Sequence, residues 1–121
     1  MNILVVDDSR AMRMIVKKTL RDAGFGGHDI TEAEDGVKAL AAIKADPPDV
    51  VMSDWNMPNM NGIELLEALN EEGIKTRFGF VTTESTAEMR KRAVDAGAKF
   101  MIAKPFTAES FQSALQPVLQ G

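Results

Sequence analysis

Short apolar runs recur along this chain between longer stretches in which apolar residues return every three or four positions. The runs are Ile3 to Val6, Val50 to Met52, Phe78 to Val81 and Phe100 to Ala103, with a weaker fifth from His28 to Ala33. Each reads as a strand, because a buried strand needs only a few consecutive apolar residues. Between the first two strands, Met12, Ile15, Val16, Thr19, Leu20 and Ala23 fall on one face of a helix. Ser9 is placed to cap its start and Gly24 its end. Comparable helical patterns cover Gly36 to Ala45, Gly62 to Asn70, Ser85 to Ala96 and Thr107 to Leu119. In the last, Phe111, Leu115, Val118 and Leu119 share a face, and Pro117 is expected to distort the final turn.

Strand and helix therefore alternate five times. Strands so uniformly apolar read as parallel and covered on both faces, which predicts an α/β fold with a doubly wound, five-stranded parallel sheet. No repeat, linker or low-complexity segment interrupts the pattern. With 121 residues, one domain spanning 1–121 is expected, with no room for a separate output domain.

Composition narrows the chemistry. At 45% hydrophobic residues the chain can bury a core without disulfides or structural metal, and its lack of cysteine agrees with that. That excludes thiolate sites and cysteine nucleophiles, and fits a reducing compartment. A net charge of −4 argues against nucleic acid as a partner and for proteins instead. The N-terminal MNILVVDDSR places acids after four apolar residues, so neither a signal peptide nor a membrane anchor is expected, and a cytoplasmic location is.

In an open parallel sheet, ligands bind beyond the carboxyl ends of the strands. Asp7 and Asp8 follow the first predicted strand, Asp54 the third, Thr82 and Thr83 the fourth, and Lys104 the fifth. Three carboxylates at one edge repel one another unless a cation sits among them, and all-oxygen donors favour Mg²⁺ or Mn²⁺. An acidic pair after a strand is as often a solvated turn or a helix cap, a role open to Asp8 or Ser9. Lys104, arriving from another strand, tips the balance, since a merely solvated acidic edge has no use for it. A carboxylate can attack phosphorus to form an aspartyl phosphate, and Asp54, after the buried VVMS run, is the best placed. The metal, Lys104 and Thr82 would meet the charge that develops on the phosphoryl oxygens.

The segments VVDDSRAMR, MSDWNMPNMNG, VTTES and AKPF, in this order over nearly the whole chain, resemble receiver domains of two-component signalling, above all single-domain chemotaxis regulators of the CheY type. The resemblance implies a flavodoxin-like sheet of order 2-1-3-4-5. It makes Asp54 the phosphoacceptor, with Asp8 and the backbone carbonyl of Asn56 joining it as metal ligands and Asp7 acting largely through metal-bound water. Lys104 would pair with the phosphoryl group and Thr82 would move to meet it. Asn56 and Glu84 match positions that tune the lifetime of the phosphoryl group, and a cis Lys104–Pro105 peptide bond is implied as well. The partners implied are a histidine kinase as donor, a downstream protein such as a flagellar switch component, and a phosphatase, with the chain itself a monomer.

One departure stands out. Where chemotaxis regulators carry an aromatic residue three positions before the lysine, this chain has Met101, which lacks both hydroxyl and ring. A stand-alone receiver serving as a phosphorelay intermediate or phosphate sink is therefore an alternative. A haloacid-dehalogenase-type phosphatase is disfavoured, because its second acid would stand at position 56, which is Asn. A flavodoxin-like electron carrier is disfavoured by the charges of Asp7 and Asp8 where a flavin phosphate would lie. His28 reads as a surface residue and the eight methionines as core filling. Arg90, Lys91 and Arg92 read as a solvated face, with Arg90 a candidate for a partner surface beside Met101.

Overall fold

A computed structural model describes residues 1–83 and 86–120, with the backbone alone considered at 120. Five strands, β1 (Asn2–Val6), β2 (Asp29–Ala33), β3 (Val50–Ser53), β4 (Arg77–Thr82) and β5 (Phe100–Ala103), alternate with five helices. These are α1 (Arg10–Leu20), α2 (Gly36–Ala45), α3 (Gly62–Glu71), α4 (Ala87–Asp95) and α5 (Ala108–Gln120). All pairings are parallel and the order is β2-β1-β3-β4-β5, as the resemblance implied.

The two faces of the sheet carry separate cores. On one, Val16 and Leu20 of α1 and Phe111 and Leu115 of α5 meet Ile3, Val5, Val50 and Met52. On the other, α2, α3 and α4 bring Ile43, Ile63, Leu66 and Ala93 against Leu4, Val51, Phe78 and Phe80. Alternation within β1 and β3 feeds both layers, which is why their sequences are apolar throughout. Each large side chain so buried contributes about 1.5–3 kcal/mol against chain entropy.

Departures from the sequence reading lie at the margins. Edge strand β2 pairs on one side only, with β1, and of its five residues Ala33 alone is buried. Ile15, assigned to the inner face of α1, is 49% exposed. It lies about 100° round the helix from the buried Val16. Gly24 does close the first helical segment: after Leu20 the backbone widens into a π turn, Arg21–Phe25, in which Gly24 takes φ +96°. Such a left-handed angle suits glycine. Thr86 caps α4 with its hydroxyl, while Ser85, expected to begin that helix, lies outside the described residues. Helix α5 continues through Pro117 to Gln120, so the proline falls within its last turn. Proline there removes one hydrogen bond, to the Ser113 carbonyl, in a last turn already near the end of the ladder.

Candidate functional site

The parallel register sets Val6 opposite Ser53, so the residues that follow, Asp7 and Asp54, leave the sheet side by side. The Asp54 N–H donates to the Val6 carbonyl at 2.9 Å, extending the ladder by one step and fixing that adjacency. Ser53 is fully buried and donates its hydroxyl to the Asp54 carbonyl at 2.8 Å. Beneath, α3 begins against the same carbonyl: a Cβ on Gly62 would run into the Asp54 carbonyl oxygen and the Phe80 ring. Only glycine allows the helix to start so close.

Lys104 reaches this edge from β5. Its N–H donates to the Thr82 carbonyl at 2.9 Å, and its Nζ lies 3.1 Å from Asp7 Oδ2 and 3.4 Å from Asp54 Oδ2. The three side chains are 10%, 6% and 14% exposed, so the ammonium acts at reduced dielectric. The Lys104–Pro105 bond is cis. Thr82 is fully buried at the end of β4, next to the β5 strand that carries the lysine.

The doubt between ligand and cap resolves in favour of division. Ser9 caps α1, its hydroxyl accepting from the Met12 N–H at 3.2 Å, which leaves the exposed Asp8 carboxylate uncommitted to the helix. Asp7 is buried, with Oδ1 accepting from the Ser9 N–H at 2.9 Å. Carboxylate oxygens of Asp7, Asp8 and Asp54 can all lie within 4.8 Å of one another. Three carboxylates against one ammonium leave two negative charges in one corner. Burial pushes the Asp54 carboxyl above its ordinary value, opposed by Lys104 and reinforced by Asp7. The donor set and the uncompensated charge therefore fit a hard divalent cation.

Trp55 is buried beside this corner, its N–H donating to Asp54 Oδ1 at 2.7 Å and its ring packing on Phe80 at 4.9 Å. Phe80 in turn is the register partner of Met101 on β5. Met101 is half-buried against the layer that holds Phe80 and Trp55, while Phe100 faces the opposite layer. Met101 also borders a surface cavity of about 270 Å³ shared with the exposed Arg90, Val94 and Lys99. Asn56 is exposed in the loop after Asp54, and Glu84 lies outside the described residues. His28 is half-buried and stacks on Phe25, ring centroids 6.3 Å apart.

Arg13 escaped the sequence reading. Its Nη1 donates to the Asp7 carbonyl at 2.6 Å while its Nε pairs with Glu32 at 3.0 Å, and Lys17 meets the other Glu32 oxygen at 3.0 Å. The Lys17 hydrogen bond leads in holding the Glu32 carboxyl below its ordinary value, with Arg13 helping and burial opposing. Its only sequence signal was a position one turn into α1, directly above the acidic pair.

Comparison with known proteins places this corner in context. The response regulator receiver domain pattern matches residues 3–116. The chain is 41% identical to chemotaxis protein CheY-3 of Vibrio cholerae, covering 99% of this chain and 92% of that one. It is 38% identical to chemotaxis protein CheY of Pseudomonas aeruginosa, covering 99% and 97%. Among solved structures, chemotaxis response regulator CheY4 of V. cholerae superposes with a TM-score of 0.84 at 36% identity over 97% of both chains. A Francisella response regulator receiver domain gives 0.87 at 27% identity, over 98% of this chain and 96% of that one.

Proposed function

Because the chain belongs to the response regulator receiver family and is of the chemotaxis CheY-like kind, we propose that residues 1–121 form one receiver domain in which phosphorylation of Asp54 switches binding to a protein partner. The observation that carries this reading is the Lys104 ammonium standing between Asp7 and Asp54, with Asp8 completing the acidic corner.

In the proposed reaction an Asp54 carboxylate oxygen attacks the phosphorus of a phosphohistidine on a trans-acting kinase. An O–P bond forms, the N–P bond breaks and the imidazole leaves with a proton. Asp7, Asp8, Asp54 and the Asn56 carbonyl would hold Mg²⁺, or Mn²⁺, with Asp7 acting through water. When bound, the cation neutralises the carboxylates and the charge developing on the phosphoryl oxygens. Lys104 holds a fixed positive charge at the acceptor before transfer and needs no rearrangement to meet an incoming oxygen. Trp55 orients the Asp54 carboxylate through its N–H, and the bonded Ser53 fixes the strand end beneath it. After transfer the Thr82 hydroxyl turns towards the phosphoryl group. Asn56 and Glu84 set how readily water reaches the acyl phosphate.

The output surface proposed is the α4–β5 face bearing Met101 and Arg90, and its partner a flagellar switch protein or comparable target, with a phosphatase to reset the state. The protein acts on no external substrate, catalysing only its own phosphorylation and dephosphorylation, and works as a cytoplasmic monomer. Among the described residues no helix is long and apolar enough to cross a membrane. A half-buried methionine in place of an aromatic ring favours, as a second reading, a relay intermediate or phosphate sink.

Incubation with acetyl phosphate tests the assignment. Acid-stable, base-labile label is expected only with Mg²⁺ or Mn²⁺, and not in Asp54→Asn. Equal labelling of that variant refutes the acceptor; steady turnover of external phosphate esters would revive a phosphatase.

A further inference from the structure

Asp35 is a charged residue only 6% exposed, and none of the ion pairs among the described residues includes it. It caps α2, its Oδ1 accepting from the Lys38 N–H at 2.8 Å. A cap requires one oxygen, and serine or threonine would serve. The second oxygen has another occupation: Asp35 Oδ2 accepts from Asn59 Nδ2 at 3.2 Å, across 24 residues of sequence. Asn59 belongs to the loop between Asp54 and α3 and holds φ +69°, a left-handed angle that asparagine tolerates better than most side chains.

The adjoining position binds the same two segments by shape. A Cβ on Gly36 would fall 2.5 Å from the Met60 carbonyl oxygen and 2.8 Å from Met60 Cβ and Cγ. The first turn of α2 thus lies directly against the loop. At its far end the Gly62 N–H donates to the Trp55 carbonyl at 2.8 Å, and Asn61 and Glu64 form a capping box on α3. Between these anchors sits Asn56, exposed and held by no side-chain hydrogen bond among the described residues.

We propose that Asp35 and Asn59 are positioning residues, a clasp that fixes the loop carrying Asp54 and Asn56 and so sets the affinity of the acidic corner for a divalent cation. The inference rests on reading that corner as a cation site. A hydrogen bond to an ionised acceptor is stronger than a neutral one, and this one is shielded from water at its acceptor end. Without it the loop keeps its two ends and its packed methionines but loses, among the described residues, its side-chain hydrogen bond at the middle, where a proposed ligand carbonyl must be held. Groups that orient ligands without touching the ion have effects of this kind elsewhere.

Three variants test the clasp. Asp35→Asn keeps an oxygen for the Lys38 N–H but turns an amide against the Asn59 amide. Asn59→Gly keeps the left-handed backbone and removes the donor without altering charge. The exchange Asp35→Asn/Asn59→Asp reverses the polarity of the pair, restores one donor–acceptor contact and preserves net charge. Mg²⁺ affinity is read from Trp55 emission, and hydrogen exchange of the Asn56, Met57, Asn59 and Met60 amides is read in EDTA.

Each of the first two variants is expected to weaken Mg²⁺ about tenfold or more and to speed loop exchange, with helix amides unaffected. The exchanged pair is expected to return within about twofold of the parent, as coupled neighbours do. Parent-like binding in Asp35→Asn and Asn59→Gly, or an exchanged pair no better than the weaker of them, overturns the clasp alone. A parent protein with no saturable Mg²⁺ response overturns the cation reading and this proposal with it.

Discussion

Lys104 Nζ stands 3.1 Å from Asp7 and 3.4 Å from Asp54, one ammonium shared by carboxylates that emerge from two neighbouring strands. Replacing it by methionine keeps the stem and removes the charge. Lys104→Met is expected to slow labelling by acetyl phosphate about 100- to 1,000-fold, as loss of one preorganised charge-stabilising group does. In EDTA it should also lower stability, by less than the roughly 3–5 kcal/mol typical of breaking a fully buried pair, because this edge is open. Mg²⁺ should recover part of that loss. Denaturant titrations with and without Mg²⁺ check it, and unaltered labelling kinetics would refute the role.

The raised Asp54 carboxyl has a stability consequence with a definite sign. Between its ordinary value of 3.8 and its raised value, the folded chain binds more protons than the unfolded one. Stability therefore falls as pH climbs through that window, and above it the ionised side chain costs the fold. In metal-free protein, Asp54→Asn is expected to melt higher than the parent at pH 7, the gain shrinking as pH is lowered towards 4. Thermal unfolding in EDTA at both pH values measures this; a variant melting lower at pH 7 contradicts it.

Trp55, the chain's one tryptophan, is tied to the proposed acceptor Asp54 through its backbone N–H and is packed on Phe80. Its emission should change saturably with Mg²⁺ and again on adding acetyl phosphate. In Asp54→Asn the second change should vanish. Emission that ignores saturating Mg²⁺ would remove the cation from this corner.

Met101 pairs in register with Phe80, which packs on Trp55, and it also borders the cavity beside Arg90. Met101→Ala should leave labelling of Asp54 near the parental rate. It should weaken partner binding in the phosphorylated state by at most the roughly 2–5 kcal/mol lost when packed methionines are truncated. Titration of the target with the phosphate-mimic form of both proteins decides; equal affinities would make Met101 a bystander.

The sheet and the acidic corner were legible because strands buried on both faces write themselves as unbroken apolar runs, and because polar residues follow them at once. Asp7, Asp8, Asp54 and Lys104 needed only the rule that chemistry gathers beyond strand ends. Strand order needed resemblance, since alternation is the same for every doubly wound sheet. Ile15 misled because helical periodicity marks a face about 100° wide without fixing where its edges fall against the rest of the fold. The Arg13 and Asn59 bonds were invisible: each joins segments whose sequence separation says nothing of distance, and each depends on which way a side chain turns.

The acidic corner draws on positions 7, 8, 54 and 104, contributed by β1, β3 and β5, with β4 lying between the last two. No fragment of the sheet contains it. A chain emerging from the ribosome passes Asp54 midway through synthesis, yet lacks Lys104 until the fifth strand has been made. The corner therefore comes into being only when the whole sheet has been put together.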